Sequence, residues 1–194
     1  MRQGEIQRKT TETDVQVDLK LDGSGACTVD TGIGFFDHML TLFARHGLFD
    51  LTVKCRGDLA VDGHHSVEDV GIALGEAVRR ALGDKAGIAR YASFYVPMDE
   101  ALAFVAVDIS GRPFLVYDGG HMAPQIGAYD TELTEEFLRA FAFHAGITLH
   151  VKVLYGNNSH HKVEAVFKAL GHALDEAVGV RGDIKGVLST KGTL

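Results

Sequence analysis

The chain repeats itself, and this repeat constrains the fold more than any other feature of the sequence. Residues 64–83 align with residues 160–179 without a gap and are identical at eleven of twenty positions. Apolar residues in both stretches recur at i, i+3, i+4 and i+7, the spacing of the buried side of an amphipathic helix. We therefore expect two equivalent helices, one in each half of the chain.

Weaker similarity extends the repeat upstream. The segment 37–40 corresponds to 135–138 after a shift of two residues, and the alternating apolar residues of 15–21 correspond to those of 103–109. Such alternation is typical of strands that bury one face. Each half then reads strand, strand, helix, strand, helix. We predict an α+β fold of duplicated ββαβα half-domains, in which helices cover one face of each sheet.

Both repeated helices open with the sequence His-His-x-x-Glu. The first histidine and the glutamate lie four residues apart, so they share one helix face and can chelate one metal ion. The second histidine points about 100° away, toward another metal or another partner. One isolated copy is equally well read as polar helix surface, but two copies favour metal binding. The two motifs are His64, His65 and Glu68 in the first half and His160, His161 and Glu164 in the second.

The repeat adds further candidate ligands. His38 and Glu136 occupy equivalent places, so both are candidates, although a lone helical histidine is usually structural. His150 lies in a predicted strand and faces the same way as Lys152, which leaves it open as a site residue or as a hydrogen-bonded histidine of the sheet. Imidazole and carboxylate together suit Mn, Fe, Co or Zn better than Mg or Ca.

Composition argues against several classes of function. The net charge is −7, and the chain has no tryptophan and no run of basic residues, so we expect no nucleic-acid partner. No apolar stretch is long enough to span a bilayer, and the first residues lack an apolar export segment. We expect a cytoplasmic protein without a membrane partner, in which Cys27 and Cys55 are structural thiols.

Several motifs are spread along nearly the whole chain, at 34–40, 62–69, 97–102, 110–113, 158–168 and 189–192. The most specific of them are the doubled His-His-x-x-Glu and the Ser-Thr-Lys-Gly near the C-terminus. Together they resemble one family, imidazoleglycerol-phosphate dehydratase of histidine biosynthesis.

The resemblance implies a lyase that converts D-erythro-imidazole-glycerol phosphate to imidazole-acetol phosphate and water through a metal-bound imidazolate. It also implies two Mn²⁺ per active site and self-association into a 24-mer whose metal sites are completed between subunits. We expect 1–194 to be a single catalytic unit made of two internal repeats, about 1–93 and 94–194. One departure stands out: Glu136 occupies a place that is histidine in many relatives, which adds a negative charge.

The resemblance and the helical geometry together assign roles to individual residues. Our hypothesis places His64, Glu68, Glu136 and His161 on one metal, and His38, His65, His160 and Glu164 on the other. For catalysis we expect Glu12 as the proton-transferring carboxylate, Glu68 and Glu164 as further candidates, and Lys168 as a support for the leaving hydroxyl or for the ligand. For the substrate phosphate we expect Arg90, Arg112, Ser189 and Lys191, because arginine and lysine suit a phosphate dianion.

Two other classes of function fit the same ligands. A dimetal hydrolase would use them to activate water and would need an open metal position and a base aimed at it. A non-catalytic metal-binding shell would need neither Glu12 nor the phosphate-binding residues.

Overall fold

A computed structural model describes residues 2–194 as two similar halves with four helices in all. The first half comprises strands β1 (Gln3–Lys9), β2 (Thr13–Lys20), β3 (Cys27–Asp30) and β4 (Asp50–Gly57), and helices α1 (Gly34–His46) and α2 (His64–Leu82). The second comprises β5 (Tyr91–Met98), β6 (Ala101–Asp108), β7 (Phe114–Asp118), β8 (Gln125–Ile126), β9 (Tyr129–Asp130) and β10 (Thr148–Tyr155), and helices α3 (Leu133–Ala145) and α4 (Ser159–Val178).

Each half forms a four-stranded sheet with the same topology. The strand orders are β1-β2-β4-β3 and β5-β6-β10-β7. The last pair in each sheet, β4 with β3 and β10 with β7, is parallel, and the other pairs are antiparallel. A parallel pair needs a crossover connection. Helices α1 and α3 provide it, so the two halves are built alike.

The α+β class is confirmed, but each half carries one strand more than the predicted ββαβα. The observed order is three strands, helix, strand, helix, and the second half adds the β8–β9 hairpin between β7 and α3. Strands β1 and β3 lie at the two edges of the first sheet. In β1 only Gly4 and Ile6 are buried, and β3 is four residues long. Neither edge strand therefore shows an extended apolar alternation. Strand β5, the first of the second sheet, begins at Tyr91.

The buried faces of the two sheets share one core. Helix α2 packs on β1, β2 and β4, and α4 packs on β5 and β6. The helices also pair across the two halves, α2 with α3 and α1 with α4. Buried residues of both sheets and all four helices form a single cluster. Each helix pair therefore contains one helix from each half of the chain.

Two equivalent glycines bring the paired helices close together. A Cβ placed on Gly75 of α2 would lie 2.6 Å from the carbonyl oxygen of Phe141, and one placed on Gly171 of α4 would lie 2.6 Å from the carbonyl oxygen of Phe43. Real Cβ atoms do not approach so closely. The two crossings thus use the same small residue in the same place, and each sets α1 or α3 beside a His-His-x-x-Glu helix.

Cys55 is buried and Cys27 is partly buried, and both are free thiols. Across residues 2–194, none of the helices combines the length and apolar character needed to cross a membrane.

Candidate active site

Helices α1 and α4 bring three predicted metal ligands together. Nε2 of His38 lies 3.4 Å, and Nε2 of His160 lies 3.1 Å, from the same carboxylate oxygen of Glu164. One ligand atom from each residue falls within 4.8 Å of the other two, and Glu164 is buried while His38 is exposed. Two imidazoles and a carboxylate converging on one point suit a first-row divalent ion. The residues of this cluster therefore fit a manganese ion.

Lys168 completes the surroundings of Glu164. Its Nζ lies 2.6 Å from the second carboxylate oxygen of Glu164, one helical turn along α4. Burial alone would raise the pKa of the Glu164 carboxyl, but the hydrogen bond and positive charge of Lys168, with smaller contributions from His160 and His38, outweigh burial and lower that pKa. The carboxylate is therefore held in its charged form, which is the form that binds metal.

The equivalent place between α2 and α3 is arranged differently. Glu68 and Glu136 line one cavity of about 180 Å³ together with Arg139. Nη1 of Arg139 donates to both oxygens of Glu136, at 2.8 and 3.0 Å. The repeat places Ile72, another residue of this cavity, where the second half has Lys168. Each of the two places thus has one cationic side chain beside its glutamate. At the first place it is Lys168 of α4, a His-His-x-x-Glu helix, and at the second it is Arg139 of α3, the helix that packs against α2.

The second histidine of each motif faces carboxylates outside these places. Nδ1 of His65 lies 3.0 Å from Asp58, and Nδ1 of His161 lies 2.7 Å from Glu100. These hydrogen bonds raise the pKa of both histidines. Within the described part of one chain, His38, His160 and Glu164 are the single group of three that converges. The four-residue sets of our hypothesis are therefore not assembled in one chain: His65 does not join the His38 cluster, and neither His64 nor His161 forms such a cluster with Glu68 and Glu136.

The four predicted phosphate-binding residues line one open cavity of about 650 Å³. Arg90 is buried, and its guanidinium carbon lies 4.5 Å from the centre of the Tyr91 ring, a cation–π arrangement. Its Nη1 donates to the carbonyl oxygen of Leu188 at 2.6 Å, which ties the C-terminal segment to the cavity. The structure therefore brings together Arg90, Arg112, Ser189 and Lys191 from three separate parts of the chain.

Comparison with known proteins decides the family. The family model for imidazoleglycerol-phosphate dehydratase matches residues 31–174, most of the chain. The chain belongs to the imidazoleglycerol-phosphate dehydratase family. A dehydratase of Thermoanaerobacter pseudethanolicus is 61% identical over 194 residues, covering 100% of both chains. One from Acetivibrio thermocellus is 60% identical over 193 residues, covering 100% of this chain and 99% of the relative.

Solved structures agree with the fold. The crystal structure of imidazoleglycerol-phosphate dehydratase from Staphylococcus aureus has a TM-score of 0.84 and 38% identity, and covers 92% of this chain and 99% of its own. The structure from Pyrococcus furiosus, in complex with (S)-C348, has a TM-score of 0.84 and 37% identity, and covers 97% and 100%. The duplicated α+β architecture is thus that of solved dehydratases.

Two glutamates at equivalent positions of the repeat, Glu12 and Glu100, differ in their contacts. Glu100 accepts hydrogen bonds from the backbone N–H groups of Asn158 and Asn157, at 2.7 and 3.0 Å, as well as from His161. These contacts lower the pKa of Glu100 to about 2. Glu12 is exposed, and its carboxylate lies 3.8 Å from Nε2 of His65 without a hydrogen bond to any described residue. Glu12 is therefore available for proton transfer, whereas Glu100 is fixed.

A buried network that the sequence did not predict holds the turn that carries Glu12. The carboxylate of Asp69 in α2 is only 8% exposed, and it accepts a hydrogen bond from Nε of Arg8 at 2.9 Å and another from the Thr13 hydroxyl. The hydroxyl of Thr10 accepts hydrogen bonds from the backbone N–H groups of Glu12 and Thr13. The repeat gave no signal for this network, because Ala165 stands where Asp69 would be in the second half.

His150 is exposed on β10, on the opposite face of the sheet from the residues that join the core. Helix α4, which carries two members of the His38 cluster, packs on the core side. Within a single chain, the structure therefore does not place His150 with the predicted ligands.

Proposed function

We propose that this protein removes water from D-erythro-imidazole-glycerol phosphate to give imidazole-acetol phosphate, as a dehydratase of histidine biosynthesis. One observation carries the proposal: the chain holds both a His/Glu cluster suited to a metal and a separate pocket lined by two arginines and a lysine. A substrate with an imidazole at one end and a phosphate at the other needs both. The full-length similarity to dehydratases of known name supports the same conclusion.

We further propose that each active site holds two Mn²⁺ ions. His38, His160 and Glu164 would hold one, and His64, Glu68 and Glu136 would contribute to the other. When bound, such ions lower the pKa of a ligand nitrogen and orient the ring that carries it. Because His65 and His161 face away from both places in one chain, a neighbouring subunit is the natural source of the remaining imidazole ligands.

The residues of the chain itself would then divide the work. Glu12 would take up the proton from carbon, since its carboxylate is exposed and accepts no hydrogen bond from the described residues. Lys168 would keep Glu164 charged and in place, and its ammonium group, 2.6 Å from Glu164, would support the departing hydroxyl. Arg90, Arg112 and Lys191 would hold the phosphate, which fixes the distant end of the substrate.

We propose that the subunits assemble with one another into a 24-mer. The outer face of the second sheet supports self-association because it is largely apolar, whereas the outer face of the first sheet is polar. In β2 the outward residues are Asp14, Gln16, Asp18 and Lys20, whereas in β6 they are Leu102, Phe104, Ala106 and Asp108. On the second sheet Tyr95 is 61% exposed and Phe114 is 59% exposed. Exposed apolar surface of this kind usually marks a protein interface.

We also propose that the protein works in the cytoplasm. Its two cysteines are free thiols, which is typical of proteins in a reducing compartment.

The test is an assay of purified, manganese-loaded protein with imidazole-glycerol phosphate. We expect imidazole-acetol phosphate to form at a rate proportional to protein concentration and to stop on chelation. Release of inorganic phosphate instead would identify a dimetal hydrolase. Metal binding without any turnover would identify a storage shell, but such a shell has no use for the cationic pocket or for the exposed Glu12.

Arg112→Ala should weaken substrate binding without loss of metal. Arg112 is exposed and lines the cationic pocket, at a place where no predicted metal ligand occurs. Losing one charged hydrogen bond to phosphate costs roughly 1.5–3 kcal/mol, which would appear mainly as a raised KM. Steady-state kinetics with metal analysis would check this. A lowered kcat with unchanged KM would contradict the assignment of this pocket to the phosphate.

Metal affinity should fall as the pH falls, beginning above the ordinary titration range of imidazole. Hydrogen bonds to Asp58 and Glu100 raise the pKa of His65 and His161 in the metal-free chain. Protons therefore compete with metal at these two histidines from a higher pH than at an unperturbed histidine, whose pKa is roughly 6.5. Equilibrium dialysis with Mn²⁺ between about pH 8 and pH 5 would show the loss. An affinity that stays constant across this range would mean that neither histidine is a ligand.

A further inference from the structure

Asp108 contacts both arginines of the cationic pocket. It lies at the end of β6, and its two carboxylate oxygens accept hydrogen bonds from Nε and Nη2 of Arg90, at 2.8 and 3.3 Å. Nη2 of Arg112 lies 3.8 Å from the second of these oxygens. One carboxylate thus contacts two cationic side chains that come from different parts of the chain. The pocket itself is lined by the arginines and not by Asp108.

Arg90 depends on this contact because it is buried. Its side chain is 9% exposed, and a buried charge is costly unless it is paired. Asp108 engages one edge of the guanidinium, the carbonyl oxygen of Leu188 accepts from Nη1, and the ring of Tyr91 covers one face. A guanidinium has five N–H donors. Asp108 and Leu188 accept from three of these donors in Arg90. The other two N–H groups remain for a ligand, and the contacts of the first three fix their direction.

The repeat shows that this carboxylate is specific to the second half. The match of 15–21 with 103–109 places Lys20 where Asp108 stands, so the equivalent position of the first sheet carries the opposite charge. Lys20 forms no ion pair of this type in the described part of the chain. The arrangement around Asp108 is therefore not part of the common fold and belongs to the pocket.

We infer that Asp108 is a positioning residue of the phosphate pocket. It aligns Arg90 through two hydrogen bonds and attracts Arg112 from 3.8 Å, so that donors of both arginines converge on one anion. Because Arg90 donates a hydrogen bond to the carbonyl oxygen of Leu188, Asp108 also helps to hold the segment that carries Ser189 and Lys191 against the pocket. The inference rests on the proposed function in one respect, namely that the pocket binds the phosphate of the substrate.

The charges of the pocket fit this role. Arg90, Arg112 and Lys191 are cationic and Asp108 is anionic, which leaves an excess of two positive charges to meet a phosphate dianion. Removing Asp108 has two opposing effects. Simple Coulomb attraction would tighten anion binding, because one negative charge is lost. Loss of alignment would weaken it, because bidentate recognition requires a fixed guanidinium.

Alignment should outweigh attraction because the pocket is open to solvent. Coulomb energies between charges near water are small and are screened by salt, whereas a disordered arginine forfeits directed hydrogen bonds. We therefore expect Asp108→Asn to weaken binding of inorganic phosphate to the manganese-loaded enzyme by about tenfold, in titration calorimetry at physiological salt. KM for the substrate should rise by a similar factor, with kcat and manganese content unchanged.

Asp108→Glu separates position from charge. It keeps the negative charge but displaces the carboxylate by one methylene, so phosphate binding should weaken although the net charge of the pocket is the same. Asp118→Asn is the matched control, because Asp118 is an exposed carboxylate of the same sheet that pairs with Lys152 at 3.4 Å and contacts neither arginine of the pocket among the ion pairs of residues 2–194. This variant should bind phosphate like the parent. Thermal unfolding of each variant would show whether the fold is intact, and Asp108→Glu serves as the test if Asp108→Asn does not fold.

Three results would overturn the inference. Tighter phosphate binding by Asp108→Asn would mean that the residue acts only through its charge. Unchanged binding in both Asp108 variants would mean that the arginines are positioned without it. Failure of the parent protein to bind phosphate would remove the pocket from this role altogether. Absence of dehydration in the presence of normal phosphate binding would instead refute the proposed function and leave the role of Asp108 standing.

Discussion

Glu12→Gln should lower kcat by about 10²-fold or more, with manganese content and substrate affinity retained. Glutamine keeps the size of the side chain and much of its hydrogen-bonding capacity but cannot accept the proton. The carboxylate of Glu12 is exposed beside His65, and the buried Asp69 network holds the turn beneath it. Steady-state kinetics and metal analysis on the same preparation would separate loss of chemistry from loss of the site.

Glu100→Gln is the matched control for this experiment, because Glu100 occupies the equivalent place in the repeat. Its carboxylate is already held by two backbone N–H groups and by His161. This variant should reduce metal retention through His161, with turnover per bound metal ion much less affected than in Glu12→Gln. Normal turnover in Glu12→Gln would assign proton transfer elsewhere, and Glu68 and Glu164 would become the next candidates.

His160→Ala should lose metal and activity together. The side chain is one of three that converge in the α1–α4 cluster, and its Nε2 contacts Glu164 at 3.1 Å. Changing an outer-shell partner of a metal ligand typically costs 10–100-fold in affinity, so removing a ligand itself should cost about 10²-fold or more. Metal analysis after dialysis would measure the loss. We expect the same result for His64→Ala at the equivalent position of α2.

His150→Ala controls for the removal of a histidine as such, since within one chain His150 is not a member of the ligand cluster. Its manganese content should match that of the parent protein. Full metal occupancy with normal turnover in His160→Ala would show that the α1–α4 cluster is not a metal site.

The sequence predicted the local structure of the ligand helices well because their pattern is periodic and duplicated. The shift between the two halves placed His38 opposite Glu136, and the structure puts the two on α1 and α3, each beside a His-His-x-x-Glu helix. The helices begin at or one residue before the first histidine of each motif, as expected. Apolar spacing and repeat matches thus located the candidate site in both halves.

Periodicity does not reveal which helix a buried face will meet. The pairing of α1 with α4 and of α2 with α3 depends on the packing of the whole core, and on close approach at Gly75 and Gly171. The charged partners were missed for a related reason. Arg139 pairs with Glu136 within α3, and Asp108 pairs with Arg90 within the second half. The first half has no like residue at either equivalent position, so the repeat carries no trace of these pairs. The polar edge strand β1 was missed because Ile6 and Gly4 are its only buried residues, which is too few to show an apolar alternation.

The pairing of helices across the halves also bears on how such a chain arose. The His38 cluster takes one ligand from the first half and two from the second, and the Glu68–Glu136 cavity draws on both halves as well. A single ancestral half would have had neither place on its own and would have needed a second copy to form either. In such a dimer, symmetry would have kept the two places identical. Joining two copies in one chain removes that restriction, so that one place can carry histidine with lysine and the other glutamate with arginine, as they do here.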